Sequence, residues 1–157
     1  MSTHVDDNVD VDELLCFAMY NASRALTGRY RELLTPLGLT YPQYLVLLVL
    51  WNESPLAIGE LGQRLYLDSG TLSPLLKRLQ SLGLIDRARS QDDERVVLVS
   101  LTDSGKEIRQ QLADVPETIC EATGLSRDAL ADLRDQVEAV ASHVRATAHS
   151  TPHPTTL

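Results

Sequence analysis

The stretch Leu45–Trp51, LVLLVLW, is apolar at every position. It is far too short to cross a bilayer, which takes about 20 residues in a helix. A helix that is apolar on all sides has to be enclosed by its neighbours. Whatever this chain folds into, the segment after Thr40 belongs in the middle of it. The flanks agree with a helix there: Gly38 can stop the preceding helix, Thr40 can cap the next one, and Pro42 fits a first helical turn.

The neighbours can be read from spacing. From about Asp12 to Leu37, apolar residues recur at Leu15, Ala18, Ala22, Leu26, Leu33 and Leu37, which is one face of a helix. After the break NESPL, AIGELGQRL predicts a short helix, and YLDSG predicts a tight turn with Asp68 or Ser69 as N-cap. TLSPLLKRLQSLG then predicts a helix that buries Leu72, Leu75, Leu76, Leu79 and Leu82 and stops at Gly83. LIDRAR and RVVLVSL predict two strands joined by the polar loop SQDDE, with Val97, Val99 and Leu101 on one face of the second. Thr102 caps a long helix expected from about Asp103 to Cys120. A last helix, from about Arg127 to Arg145, carries Leu130, Leu133, Val137, Val140 and Val144 on one side. The expected fold class is mostly α with a small β-hairpin wing: a winged helix-turn-helix with long helices at both ends.

The net charge of −8 argues against nucleic acid at first sight, but the charge is uneven. Between Arg64 and Gln91 five basic residues (Arg64, Lys77, Arg78, Arg87, Arg89) face two acidic ones (Asp68, Asp86). A local basic face matters more for phosphate binding than the global sum. The second helix of a helix-turn-helix enters the major groove with its N-terminal side chains on base edges. Here that end offers Ser69, Thr71 and Ser73, followed by Lys77 and Arg78 for phosphate or guanine. Arg87 and Arg89 lie on the first strand, and Arg95 lies at the tip or base of the hairpin, where a cation can enter a minor groove. These eight residues are the candidate DNA-binding set.

The chain has two cysteines, Cys16 and Cys120, too few and too far apart for a zinc site or a disulfide framework. They are either inert core residues or redox-active. The four histidines, His4, His143, His149 and His153, lie near the ends, and the tail AHSTPHPTTL reads as disordered, so no metal or cofactor is expected. The start, MSTHVDDNVDVDE, is acidic, with no basic region followed by an apolar one, so the expectation is a cytoplasmic protein with no membrane contact. The chain lacks a thioredoxin-like βαβ pattern and a CxxC pair, so a thiol peroxidase, and an enzyme generally, is not expected.

LDSGTLSPLLKRLQSLGLIDRARSQDDERVVLVSLTDSGKEI resembles the winged-helix core of MarR-family transcription regulators. Asp93, Glu94 and Arg95, then Thr102 and Gly105, match that family's wing and the start of its next helix. The resemblance covers roughly residues 12–146. It implies one domain over that range, between a flexible 1–11 and a tail at 147–157. Within it, 12–37 and 103–146 would be dimerisation helices and 38–102 the DNA-binding region. The implied partners are a second copy of the chain and double-stranded operator DNA with an inverted repeat, one winged helix per half-site. The apolar stripes at both ends ask for a partner on their own account. Two recognition helices about 34 Å apart would meet successive major-groove faces.

LLCFAMYNASRALTGRYRELLTPLGLTYPQYLVLLVLW is similar to the organic-hydroperoxide-sensing branch of that family. The resemblance implies that Cys16 is the reactive thiol and that Tyr30 and Tyr41 hydrogen-bond it. DVPETICEATG resembles the two-cysteine subtype, in which Cys120 would resolve the oxidised thiol through an intersubunit disulfide. The implied function is a repressor that holds its operator while Cys16 is reduced and lets go when an organic hydroperoxide oxidises it. One alternative is a MarR-type repressor released by a small aromatic ligand, with the cysteines incidental. Another is that Cys120 is an ordinary buried thiol. Helix geometry adds a constraint of its own: fourteen residues at 1.5 Å each put Cys16 and Tyr30 about 21 Å apart along one axis. A contact between them would need the Cys16 of a partner subunit.

Overall fold

The computed structural model describes residues 10–148 and divides the chain into two compact units, Met1–Val115 and Pro116–Leu157. In the first unit, a 3₁₀ turn at Val11–Glu13 leads into α1 (Leu15–Leu34), and a second 3₁₀ turn at Thr35–Leu37 leads into α2 (Tyr41–Asn52). Then come β1 (Leu56–Ala57), α3 (Ile58–Leu65), α4 (Ser69–Ser81), β2 (Ile85–Arg89), β3 (Val97–Leu101) and α5 (Asp103–Gln111). α1 starts later than its apolar spacing suggests. Asp10 caps the 3₁₀ turn, accepting from Asp12 N at 3.2 Å, and Leu14 is extended between the two helices.

The apolar segment is α2, and it is enclosed. Tyr44, Val46, Leu47 and Leu50 are buried, together with Leu34 of α1, Leu61 of α3, Leu72, Leu76 and Leu79 of α4, Ile85 of β2 and Val99 of β3. Each such side chain contributes about 1.5–3 kcal/mol relative to exposure. Leu75 and Leu82, expected in the core, are only partly covered. The buried Gln43 is satisfied in place, because its Oε1 accepts from Thr40 N at 3.0 Å and closes the cap of α2. No single described helix is long and apolar enough to cross a membrane.

The turn between α3 and α4 is tight because two residues allow it. Tyr66 takes a left-handed conformation at φ 53, and Leu67 N donates to Gly62 O at 2.9 Å. A Cβ on Gly62 would lie 2.8 Å from the Leu67 carbonyl oxygen, so only glycine lets the chain double back this closely. Asp68 then caps α4, accepting from Thr71 N at 2.8 Å. Pro74 is inside α4, just past its first turn, so the Gly70 carbonyl lacks its usual intrahelical donor.

β2 and β3 pair antiparallel with Arg87 opposite Val99 and Arg89 opposite Val97. A third strand, β1, pairs with the other edge of β3, Leu56 opposite Val99, giving the order β1-β3-β2. β1 could not be read from spacing, since two residues cannot show an alternation.

The helix expected from Asp103 to Cys120 is two helices. α5 ends at Gln111, and α6 (Val115–Thr123) begins after a break. Pro116 explains the break: it has no N–H, and its ring would strike the carbonyl of Leu112 in a continuous helix. In the second unit α6 is followed by a turn through Gly124 at φ +69 and by α7 (Arg127–Ala148). Arg127 and Glu117 form an ion pair between these two helices. Leu133, Val137, Val140 and Val144 remain exposed along α7.

The start of α5 is pinned from three sides. Thr102 Oγ1 donates to Gly83 O at 2.6 Å and accepts from Gly105 N at 3.0 Å, and Trp51 Nε1 donates to Gly105 O at 2.8 Å. A Cβ on Gly105 would sit 2.0 Å from the Leu84 carbonyl oxygen. Gly105→Ala is therefore expected to lose about 3 kcal/mol in urea denaturation, while Gly59→Ala, which has open space, stays within about 1 kcal/mol of the parent. Equal stability of the two variants would contradict this packing.

Candidate nucleic-acid interface and redox site

The outward face of α4 carries Ser69, Thr71, Ser73, Lys77 and Arg78, all exposed. Thr71 is not free to read bases as it stands, because its Oγ1 donates to Asp68 Oδ2 at 3.1 Å. The Thr71 N–H, and after it that hydroxyl, hold the Asp68 carboxyl below the usual carboxylate range. Lys77 and Arg78 make no ion pair among the described residues. Arg87 Nε donates to Gln80 Oε1 at 2.8 Å, tying the first strand of the hairpin to α4. Arg89 reaches the Glu94 carbonyl oxygen at 3.3 Å. Arg95 is exposed and held by Asp93, at 3.2 Å from Nε to Oδ1 and 3.4 Å from Nη2 to Oδ2. Its guanidinium keeps the Asp93 carboxyl below the ordinary range. Arg64, counted in the basic stretch, is neutralised by Glu53. The two ends of the candidate surface are thus a helix face with unpaired cations and a hairpin arginine aimed by its own neighbour.

The thiol residues lie elsewhere. Cys16 is exposed in the first turn of α1, and Cys120 is half-buried in α6 of the other unit; both are free thiols. Along α1, Tyr20 follows Cys16 by one turn and is exposed, with the Arg24 guanidinium 5.5 Å from its ring centroid. α1 is unbroken from Leu15 to Leu34, so Cys16 and Tyr30 are held about 21 Å apart.

Tyr30 and Tyr41 are together, ring centroids 4.4 Å apart, where the end of α1 meets the start of α2. Tyr44 stands 5.9 Å from Tyr30, and Trp51 stands 6.2 Å from Tyr44. Burial, then the neighbouring Tyr41 and Tyr44, push the Tyr30 phenol up to about 12, and burial raises Tyr41 and Tyr44 as well. At neutral pH all three are protonated phenols able to donate. Tyr44 is a core residue, as its place in an enclosed helix predicts, but it also backs the phenol pair. The i, i+3, i+10 spacing of Tyr41, Tyr44 and Trp51 on α2 is the signal that would have grouped them. Of the histidines, His143 is exposed on α7, and His4, His149 and His153 fall outside the described residues.

A helix-turn-helix whose second helix shows cations, followed by a hairpin with an exposed arginine, defines a winged-helix transcription regulator. Residues 29–112 match the family described as Transcriptional regulator SarA/Rot, and the chain belongs to the MarR-type winged-helix regulators of which that family is part. It is similar to the organic hydroperoxide resistance transcriptional regulator of Bacillus subtilis (strain 168), 47% identical over 128 residues, which cover 82% of this chain and 85% of that protein. Among solved structures, reduced AbfR bound to DNA is 36% identical with a TM-score of 0.71, covering 83% of this chain and 91% of that one. Disulfide-formed AbfR is 37% identical with a TM-score of 0.58, covering 80% and 88%.

The raised phenols have a measurable consequence. A tyrosine whose folded pKa lies above its unfolded value of about 10 lends stability that is complete below that pH and lost as pH rises through the folded value. The denaturation midpoint should fall between pH 10 and 12, and Tyr30→Phe should reduce the fall. An alkaline absorbance titration should show a phenol ionising near 12 that Tyr30→Phe removes. A Tyr30→Phe protein with an unchanged titration would disprove the assignment.

Proposed function

We propose that the chain is a homodimeric, redox-sensing transcriptional repressor. It binds inverted-repeat operator DNA while Cys16 is reduced and dissociates when an organic hydroperoxide oxidises that thiol. The observation that carries this reading is the close, tilted Tyr30–Tyr41 pair, two protonated donors with no cysteine of their own within reach along α1. A second copy, with α1 antiparallel to the first, would bring its Cys16 to them. The exposed apolar residues of α1 (Leu15, Leu26) and of α7 support such a partner, since unpaired apolar stripes of this length favour association. The Bacillus subtilis relative's name and the reduced, DNA-bound and disulfide forms of AbfR support the same chemistry.

Phenols donating to the sulfur favour the thiolate, the nucleophile toward a peroxide. The sulfur attacks the outer oxygen of the hydroperoxide and the O–O bond breaks. The sulfur is oxidised to a sulfenic acid, and the peroxide is reduced and leaves as an alcohol after taking up a proton. The Cys120 thiolate of the other subunit then attacks the sulfenic sulfur, the S–O bond breaks, the hydroxyl takes up a proton and leaves as water, and an intersubunit disulfide joins Cys16 to Cys120. That bond needs Cα atoms within about 7 Å, so forming it between separated cysteines moves the helices that carry them and, with them, the spacing of the two α4 helices. On the DNA, Ser69, Thr71 and Ser73 lie at the end of α4 that meets base edges. Lys77, Arg78, Arg87 and Arg89 serve phosphates, and Arg95 serves the minor groove.

Operator affinity measured by fluorescence anisotropy, with and without cumene hydroperoxide, tests the proposal. Wild type should lose at least about tenfold in affinity on oxidation, and Cys16→Ser should lose none. Cys120→Ser should still be oxidised but give no crosslinked dimer on non-reducing electrophoresis. Release of a Cys16→Ser protein by peroxide would refute the thiol as sensor.

A further inference from the structure

We infer that Thr71 reads its base as a hydrogen-bond acceptor only, so that α4 selects an amino base, adenine or cytosine, at that point of the major groove. Asp68 is the positioning residue that imposes this. The inference rests on the reading that the start of α4 meets base edges, and it adds what one of those side chains can select. A threonine hydroxyl has one proton and two lone pairs, and ordinarily it turns to suit whichever partner it meets. Here the proton is committed. Thr71 Oγ1 stands 3.1 Å from Asp68 Oδ2, and an ionised carboxylate only accepts, so the direction of that bond is fixed. The remaining lone pairs of Oγ1 belong to a residue exposed on the outward face of α4. The bond stops Thr71 donating to a base and leaves it able to accept from one.

The carboxylate is well held in this role. Its Oδ1 accepts from Thr71 N at 2.8 Å, so the cap of α4 and the clamp on the hydroxyl are made by the two oxygens of one group. The Thr71 N–H, then the hydroxyl, keep it ionised through the neutral range. A Cβ on Gly70 would stand 3.2 Å from Asp68 Oδ1, so the glycine leaves the carboxylate undisturbed. Ser69 and Ser73 differ: their hydroxyls have no hydrogen bond among the described residues and can donate or accept. Lys77 and Arg78 only donate. In the major groove guanine presents the acceptors N7 and O6 and thymine presents O4, whereas adenine N6 and cytosine N4 are donors. Against the clamped Thr71 the keto bases set lone pair against lone pair, and the amino bases supply the missing proton.

The test selects duplexes from a mixture randomised over about two helical turns, using the reduced full-length protein, and sequences the bound fraction. Thr71→Val keeps the shape and the backbone N–H and loses only the hydroxyl. It should erase the preference at one position of each half-site, and wild type should favour adenine or cytosine there by about threefold to tenfold. Asp68→Asn keeps the cap, because the amide carbonyl still accepts from Thr71 N. Its amide N–H now donates to Thr71 Oγ1 and turns the hydroxyl proton outward, so the preference at that position should reverse to guanine or thymine. The lost negative charge raises affinity for every sequence alike and leaves the ranking of bases to report on the hydroxyl. A wild-type preference for guanine or thymine at that position, a Thr71→Val profile identical to wild type, or an Asp68→Asn profile without reversal would each overturn the inference. A wild-type protein that enriches no sequence at all would overturn the base-reading role of α4 and the inference with it.

Discussion

An unbroken α-helix is a ruler, and α1 keeps Cys16 and Tyr30 fourteen residues and about 21 Å apart. No side-chain rotation closes that gap. The phenol pair at the other end of the ruler is fixed just as firmly. Tyr41 begins the enclosed helix α2, Tyr44 is buried behind the pair, and Trp51 anchors the far end of α2 to the first turn of α5. The chain therefore displays a thiol at one place and a pair of protonated phenols at another. In the proposed dimer two copies bring them together, so that the reactive site and the quaternary structure are one object.

The same rigid core links that seam to the nucleic-acid face. α2 is enclosed by α3, α4 and the small sheet, and the start of α5 is locked against Leu84 and Trp51 with no room for a Cβ at Gly105. Cores packed this closely move as bodies rather than bend. Within this unit, a shift of α1 in the proposed switch would therefore reach α4 as a change of position, not of shape. The wing has more freedom, since Arg95 is exposed and aimed only by Asp93. An operator phosphate or groove can compete with that single carboxylate.

Much of this was legible in the chain itself, and the exceptions share a cause. The helix-turn-helix, the hairpin, its register face and the exposed cations of α4 follow from spacing and caps, which are local. The break before α6 was legible too, in Pro116, but the apolar spacing on both sides of it suggested one helix. β1 is two residues long and exists only because β3 has a free edge. The hydrogen bond from Thr71 to Asp68, the pairing of Arg64 with Glu53 and the Tyr30–Tyr44–Trp51 line depend on how elements meet or on side-chain choices that spacing does not record. The candidate thiol residues stood out through resemblance of whole segments, not through any pattern in the residues alone.

The central claim is that each Cys16 is activated by the phenols of the other subunit, and mixed dimers test it directly. In one, a Cys16→Ser chain pairs with a Tyr30→Phe/Tyr41→Phe chain, so the surviving thiol has intact phenols only in its partner. In the other, a wild-type chain pairs with a chain carrying all three substitutions, so the surviving thiol has intact phenols only in its own chain. The account predicts wild-type rates of Cys16 oxidation by cumene hydroperoxide in the first dimer and rates roughly tenfold slower in the second. The reverse order would contradict it.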